Sequence, residues 1–155
     1  MSKGFNGLIE KVNTCGVKKV AVAVAQDAHV LEAVRAAKER NIAEAILVGD
    51  QAKIEEVAAS INMDLAGYEV IHVEEPYEAA LKAVSLVSEG KADMYMKGLV
   101  DTKSFLKSIL DKEVGLRTGK PLSHVAVFEV KGVDHLLFLT DVAFMTYPTL
   151  EDKAN

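Results

Sequence analysis

The sequence predicts an α/β fold: a mostly parallel sheet flanked by helices, with an antiparallel hairpin at the C-terminal end. Three observations predict it. Short runs rich in valine, isoleucine and alanine alternate with longer segments whose apolar residues recur every three or four positions, the pattern of βαβ units. The first runs hold unbroken apolar stretches, residues 20–25 and 45–48, as strands covered on both faces do. The last third of the chain changes character, with two apolar runs separated by Lys131-Gly132-Val133-Asp134, a connection of hairpin length and composition.

Each element follows from its residues. Leu8, Ile9 and Val12 form an apolar stripe that predicts a helix from Phe5 to Asn13. Val17–Ala25, reading VKKVAVAVA, predicts the first strand. Asp27 is a suitable N-cap for a helix with Val30, Leu31, Val34 and Ala37 on one face. Ala45–Val48 predicts a second strand, and Gly49-Asp50 turns and caps a helix with Ile54, Val57, Ala58 and Ile61 inward. Tyr68–Val73 predicts a third strand. Pro76 fits the first turn of the next helix, where a missing N–H costs nothing, and Gly90 fits its end. Tyr77, Ala80, Leu81, Val84 and Val87 form that helix's apolar side. Met94–Met96 predicts a fourth strand, followed by a helix over Thr102–Asp111 that buries Phe105, Leu106, Ile109 and Leu110. The hairpin strands are expected at His124–Val130 and His135–Phe144, making the sheet mixed, with right-handed crossovers between the parallel strands. Thr149 caps a last helix start with Asp152 in its first turn, and a helix that starts with no body points to more chain beyond it. Residues 1–155 are expected to form a single α/β domain.

Composition narrows the function. Half of the 155 residues are hydrophobic, 26% are charged and the net charge is −5, as in a globular protein with a real core. Lys and Arg never cluster into a basic face, so nucleic acid is not an expected partner. No apolar run approaches the roughly 20 residues of a membrane helix, and no membrane partner is expected. The N-terminus has no signal-like segment and reads as mature protein. Cys15 is the one cysteine, so it has no internal disulfide partner, as suits a reducing cytoplasm. No metal site is expected, since the chain has no paired cysteines, no His-x-x-x-His and no calcium-type carboxylate cluster. The dinucleotide glycine fingerprint and the P-loop are both absent.

The candidate site is the stretch Ala92–Val125. A strand running into a helix through Lys97-Gly98 is expected to present free backbone amides and a positive dipole end, which suits an anion such as phosphate. Of the four strand exits, those at Gln26-Asp27, Gly49-Asp50 and Glu74-Glu75 are acidic, and the Lys97 exit alone favours an anion. Gly98 allows close backbone approach or a positive φ. Asp101 and Thr102 compete for the N-cap, leaving the other for ligand. Arg117 offers a bidentate fork, with loop bracing as its alternative. Ser123 and His124 offer a hydroxyl and an imidazole, or satisfy buried backbone. Asp141 and Thr146, near the end of the last strand, are candidates to line the same cleft.

The blocks MKGLVDTKSFLKSIL, GLRTGKPLSHVAVFEV and LLFLTDVAFMTYPTLEDK resemble the phosphate acetyltransferase and butyryltransferase family, on the butyryl side. The acetyl branch has a Ser-Gly and a His where this chain has Lys97-Gly98 and Asp101. The resemblance implies exchange of an acyl group between coenzyme A and inorganic phosphate, both as substrates, with no bound cofactor. It implies a fold similar to the first of the two domains of isocitrate dehydrogenase, with this chain as the N-terminal portion of an enzyme about twice as long. The family's catalytic serine and aspartate would lie in the other half, so no catalytic residue is assigned here. A half-enzyme of this kind would expose apolar surface and form homo-oligomers. The alternative is a stand-alone α/β protein, or a subunit, that binds an anionic metabolite without catalysis.

Overall fold

The computed structural model describes residues 4–141 and 143–154. In chain order its elements are α1 (Gly4–Val12), β1 (Lys18–Ala23), α2 (Ala28–Glu39), β2 (Ala43–Gly49), α3 (Gln51–Ser60), β3 (Glu69–His72), α4 (Pro76–Ser88), β4 (Met94–Lys97), α5 (Thr102–Ile109), β5 (Val125–Glu129), β6 (Leu136–Thr140) and α6 (Leu150–Ala154). They fall into two compact units: Gly16–Arg117, and the N-terminal segment through Cys15 together with the chain from Thr118 onward.

In the larger unit, β1 to β4 form a parallel sheet in the order β3-β2-β1-β4. Lys18–Ala23 align with Ala43–Val48, and Val20–Ala23 with Met94–Lys97. The period-two alternation of β1 sends Val22 to one face and Ala21 and Ala23 to the other. On the Val22 face, α2 and α3 bury Leu31, Val34, Ile54 and Ala58 against Ala45 and Leu47. On the alanine face, α4 brings Ala79, Ala80 and Ala83 onto Ile46 and Val48, with Tyr95 and Phe105 packed beside them. The chain therefore winds outward from β1 to β3 over one face and returns to β4 over the other, as a single hand of crossover requires. The turns after β1 and β4 lead to helices on opposite faces. They diverge at the carboxyl ends of those strands, where open α/β sheets bind ligands.

The punctuation residues act as the sequence predicts. Asp27 Oδ1 accepts from Val30 N at 3.1 Å and Asp50 Oδ1 from Lys53 N at 3.3 Å. Gly90 follows α4 with φ 72, the left-handed conformation of a helix stop. α5 is shorter than expected, ending at Ile109 instead of Asp111. Leu110, expected inward, is 51% exposed, and Ser108 is fully buried in its place. Residues 105, 108 and 109 share a face at 3.6 residues per turn, and 110 does not. Asp111 ends the helix by accepting from Glu113 N and Val114 N.

In the smaller unit, β5 and β6 pair antiparallel from Val125↔Thr140 to Glu129↔Leu136. They form a two-stranded sheet of their own. The expected mixed sheet does not form: β5 pairs with β6 alone, and neither strand joins the four-stranded sheet. The link is a turn closed by Val133 N donating to Val130 O at 3.0 Å, with Gly132 at φ 89. β6 stops at Thr140, short of the expected Phe144. Asp141 Oδ1 accepts from Ala143 N at 2.7 Å and Phe144 N at 3.0 Å, which takes the chain out of the ladder. Thr149 and Asp152 cap α6 reciprocally, Thr149 N donating to Asp152 Oδ2 and Asp152 N to Thr149 Oγ1. Among the described residues, no helix is long and apolar enough to cross a membrane.

Candidate functional site

β4 carries Lys97 to the crevice. Lys97 is two residues past Tyr95 and so lies on the same face of the sheet. Its Nζ is 3.4 Å from Gly98 O and, among the described residues, meets no carboxylate. The next two amides continue the pairing with β1: Gly98 N donates to Ala23 O at 2.9 Å and Leu99 N to Val24 O at 2.8 Å. A Cβ on Gly98 would stand 2.5 Å from Ala23 O and closer still to Val24 O. Close approach, and not a positive φ, is thus what demands glycine here. Val24 turns the chain with φ 57 while buried. A β-branched residue in that region stores roughly 1–2 kcal/mol of strain.

The start of α5 is also occupied. Asp101 is its N-cap and Oδ1 accepts from Ser104 N at 2.9 Å. Hydrogen bonds from the Ser104 side chain and amide hold the Asp101 carboxyl below its usual range. Three of the turn's amides are therefore taken: those of Gly98 and Leu99 bond to β1 and that of Ser104 bonds to Asp101. For an anion this turn also offers the Lys97 charge and the hydroxyl of Thr102, an exposed residue at the first helical position.

The other exits repeat the design. Asp27, Asp50 and Glu75 cap α2, α3 and α4 as Asp101 caps α5. Glu75, whose Oε2 accepts from Glu78 N at 2.7 Å, was not foreseen as a cap. Asp50 is nearly buried and pairs with Lys53 Nζ at 2.8 Å, and that hydrogen bond chiefly lowers its pKa. These depressed carboxyls fix the sign of the acid response. Folded Asp50 and Asp101 bind protons less readily than the unfolded chain does. Their contribution is complete above the ordinary carboxylate value and is lost as pH falls through the depressed folded values. Melting temperature followed from about pH 6 to about pH 2 should fall less for Asp101→Asn, which still caps but does not titrate, than for wild type. Equal losses would remove Asp101 from this role.

A cleft of about 440 Å³ runs along the same edge, lined by Val24, Gln26, Lys53, Glu56, Pro76 and Leu99. Gln26 Oε1 is buried there without a hydrogen-bond partner among the described residues. Sequence reasoning passed over Gln26 and Lys53. The usable signal was position: Gln26 is the first polar residue after the first apolar run, and Lys53 lies three residues after a capping aspartate.

Arg117 is exposed, and among the described residues its guanidinium has no ion pair, so it does not brace the loop. Leu116 N donates to Ile109 O at 2.8 Å, tying this segment to the far end of α5. Eight residues at 1.5 Å each put about 12 Å of helix between that end and the Lys97 turn. The backbone does not gather Arg117 with Lys97.

Ser123, His124, Asp141 and Thr146 belong to the smaller unit. There His124 and Asp141 meet. Amide hydrogen bonds from Phe144 and Ala143, and then from His124, hold the Asp141 carboxyl down. The His124 ring is edge-on to Phe144, centroids 5.9 Å apart. His124 Nδ1 and Asp141 Oδ2 are buried without partners among the described residues. Ser123 and Thr146 are exposed. Among the described residues, no group of three His, Cys, Asp or Glu is placed to hold a metal ion.

The family described as Phosphate acetyl/butaryl transferase matches this chain over residues 5–80 and 74–155. The chain is 61% identical over 153 residues to the phosphate butyryltransferase of Clostridium beijerinckii, covering 99% of this chain and 51% of that protein. It is 41% identical over 145 residues to a probable phosphate butyryltransferase of Bacillus subtilis, covering 94% of this chain and 48% of that one. A branched-chain phosphotransacylase from Enterococcus faecalis V583 matches in structure with a TM-score of 0.69 at 28% identity, over 86% of this chain and 46% of that one. The chain spans about half the length of the curated relatives it matches.

Proposed function

The chain belongs to the phosphate acetyl/butaryl transferase family, and we propose that it forms the phosphate-side part of an enzyme moving a butyryl-type acyl group between coenzyme A and inorganic phosphate. One observation carries this: among the described residues Lys97 stands at the crevice between β1 and β4 without a carboxylate partner, whereas Lys53, at the β2 exit, is held by Asp50. In the forward direction a phosphate oxygen attacks the thioester carbonyl. The tetrahedral oxyanion collapses, the C–S bond breaks, and coenzyme A leaves as a thiolate beside an acyl phosphate. Lys97 neutralises the attacking phosphate as a point charge and Thr102 offers a hydroxyl. Gly98 and Asp101 hold that turn in shape. Arg117, the Ser123–His124 pair, Asp141 and Thr146 are further candidates for substrate contact. The group that activates sulfur is placed on the portion of the relatives that this chain does not match. Identity to a phosphate butyryltransferase supports the butyryl preference.

The parent enzyme is proposed to be cytoplasmic, to use no bound cofactor and to self-associate. β6 exposes Phe138 at 67% and Leu139 at 53%, apolar area that association would cover. Sizing chromatography should show species larger than one chain, and a lone monomer would remove this part of the proposal.

The central test is a thermal melt with and without inorganic phosphate. A ligand that binds only the native state at about 100 times its Kd stabilises by about 2.7 kcal/mol. Wild type should melt higher with phosphate, and Lys97→Ala should not respond. An equal rise in both overturns the Lys97 assignment, and Arg117→Ala run alongside tells whether Arg117 contributes. Butyryl-CoA and phosphate given to the 155-residue chain should release no thiol. Robust turnover would overturn the placement of the sulfur-activating group elsewhere.

A further inference from the structure

The hydroxyl of Tyr95 lies at the junction of three elements. It donates toward Ala80 O of α4 at 3.2 Å and sits 2.9 Å from Ser108 Oγ of α5. Ser108, fully buried, donates to Phe105 O at 2.7 Å. The Tyr95 ring stacks on Phe105 with centroids 4.5 Å apart and planes at 20°. Three contacts share two protons: with Tyr95 O–H on Ala80 O, Ser108 O–H turns to the Tyr95 oxygen, and with Tyr95 O–H on Ser108 Oγ, Ser108 O–H turns to Phe105 O, so either way both donors are used and the Tyr95–Ser108 bond is made.

α5 has eight residues, too few to hold a helix without tertiary contacts. Ser108 is its one fully buried side chain, and Phe105 is the α5 residue that packs against the alanine-face core. Tyr95 is therefore the piece of β4 that α5 rests on, and it precedes Lys97 by two residues. An apolar pair would fill this space without desolvating two hydroxyls. What the polar pair adds is a defined distance between β4 and α5.

We propose that Tyr95 and Ser108 are positioning residues for the Lys97–Thr102 turn: their hydrogen bond fixes where the α5 N-terminus stands relative to the end of β4. The relevance to phosphate rests on the Lys97 assignment above; the positioning itself does not.

Two measurements on the full chain separate the claims. The first is amide hydrogen exchange in Tyr95→Phe, Ser108→Ala and the double variant, against Val34→Ala as a destabilised control in α2. Exchange should accelerate at Leu99, Ser104 and Phe105 in the first three and not in the control. The single effects should not add in the double variant, because they break one bond. Unchanged exchange at these amides, or additive effects, overturns the proposal whatever phosphate does. The second is titration with inorganic phosphate well below the melting temperature. Tyr95→Phe and Ser108→Ala should each weaken binding about tenfold, and Val34→Ala should leave it unchanged. Equal affinity in all four proteins overturns the proposed effect on the site. If wild type itself shows no response to phosphate, the Lys97 assignment falls and exchange alone decides the positioning claim.

Discussion

Gly98→Ala is expected to lose about 3 kcal/mol of stability, beyond what a single added methyl usually costs. The atoms its Cβ would strike are the carbonyl oxygens of Ala23 and Val24, which are backbone and have no rotamer to escape into. Making room means moving β4 away from β1. That also stretches the bonds from Gly98 N to Ala23 O and from Leu99 N to Val24 O. For a chain of this size the melting temperature should drop by roughly 10 °C, measurable by circular dichroism. A loss under about 1 kcal/mol would show that the sheet edge yields more easily than its spacing implies.

Leu47→Ala should cost about 2–5 kcal/mol, while Leu110→Ala should stay within about 0.5 kcal/mol of wild type. Leu47 is fully buried on β2, flanked by β1 and β3 and packed in the core with Leu31 and Ile54. Ladder bonds on both sides keep that strand from collapsing into the space a truncation leaves. Leu110 is about half exposed just past the end of α5 and leaves little cavity. Denaturant unfolding of the two variants checks the contrast, and comparable losses would contradict the assignment of the core.

Most of the architecture could be read from local signals. Asp27, Asp50, Pro76 and Gly90 mark helix ends through interactions within a few residues, so they are visible in the sequence. Errors arise where a partner outside the element decides. Leu110 looked like core and Ser108 did not, because the Tyr95 hydroxyl that draws Ser108 inward sits on another element. Phe144 looked like strand because the acceptance of its amide by Asp141 outweighs its β propensity. The same limit applies to the candidate site. That Lys97 and Gly98 follow an apolar strand is a sequence fact, but that β1 carbonyls already hold the next two amides depends on which strand is its neighbour. Gln26, with its unpaired oxygen, carries no motif at all.

The four capping acids have an effect at long range. Asp27, Asp50, Glu75 and Asp101 stand at successive strand exits, so a doubly charged ion meets repulsion along this edge, eased where Lys53 pairs with Asp50 and where Lys97 stands unpaired among the described residues in the β4 corner. The edge acts as a charge filter. Added salt weakens the repulsion from the acids together with the attraction of Lys97, since both act over a Debye length of about 10 Å at 0.1 M. Phosphate capture should consequently vary less with ionic strength than an isolated lysine would dictate.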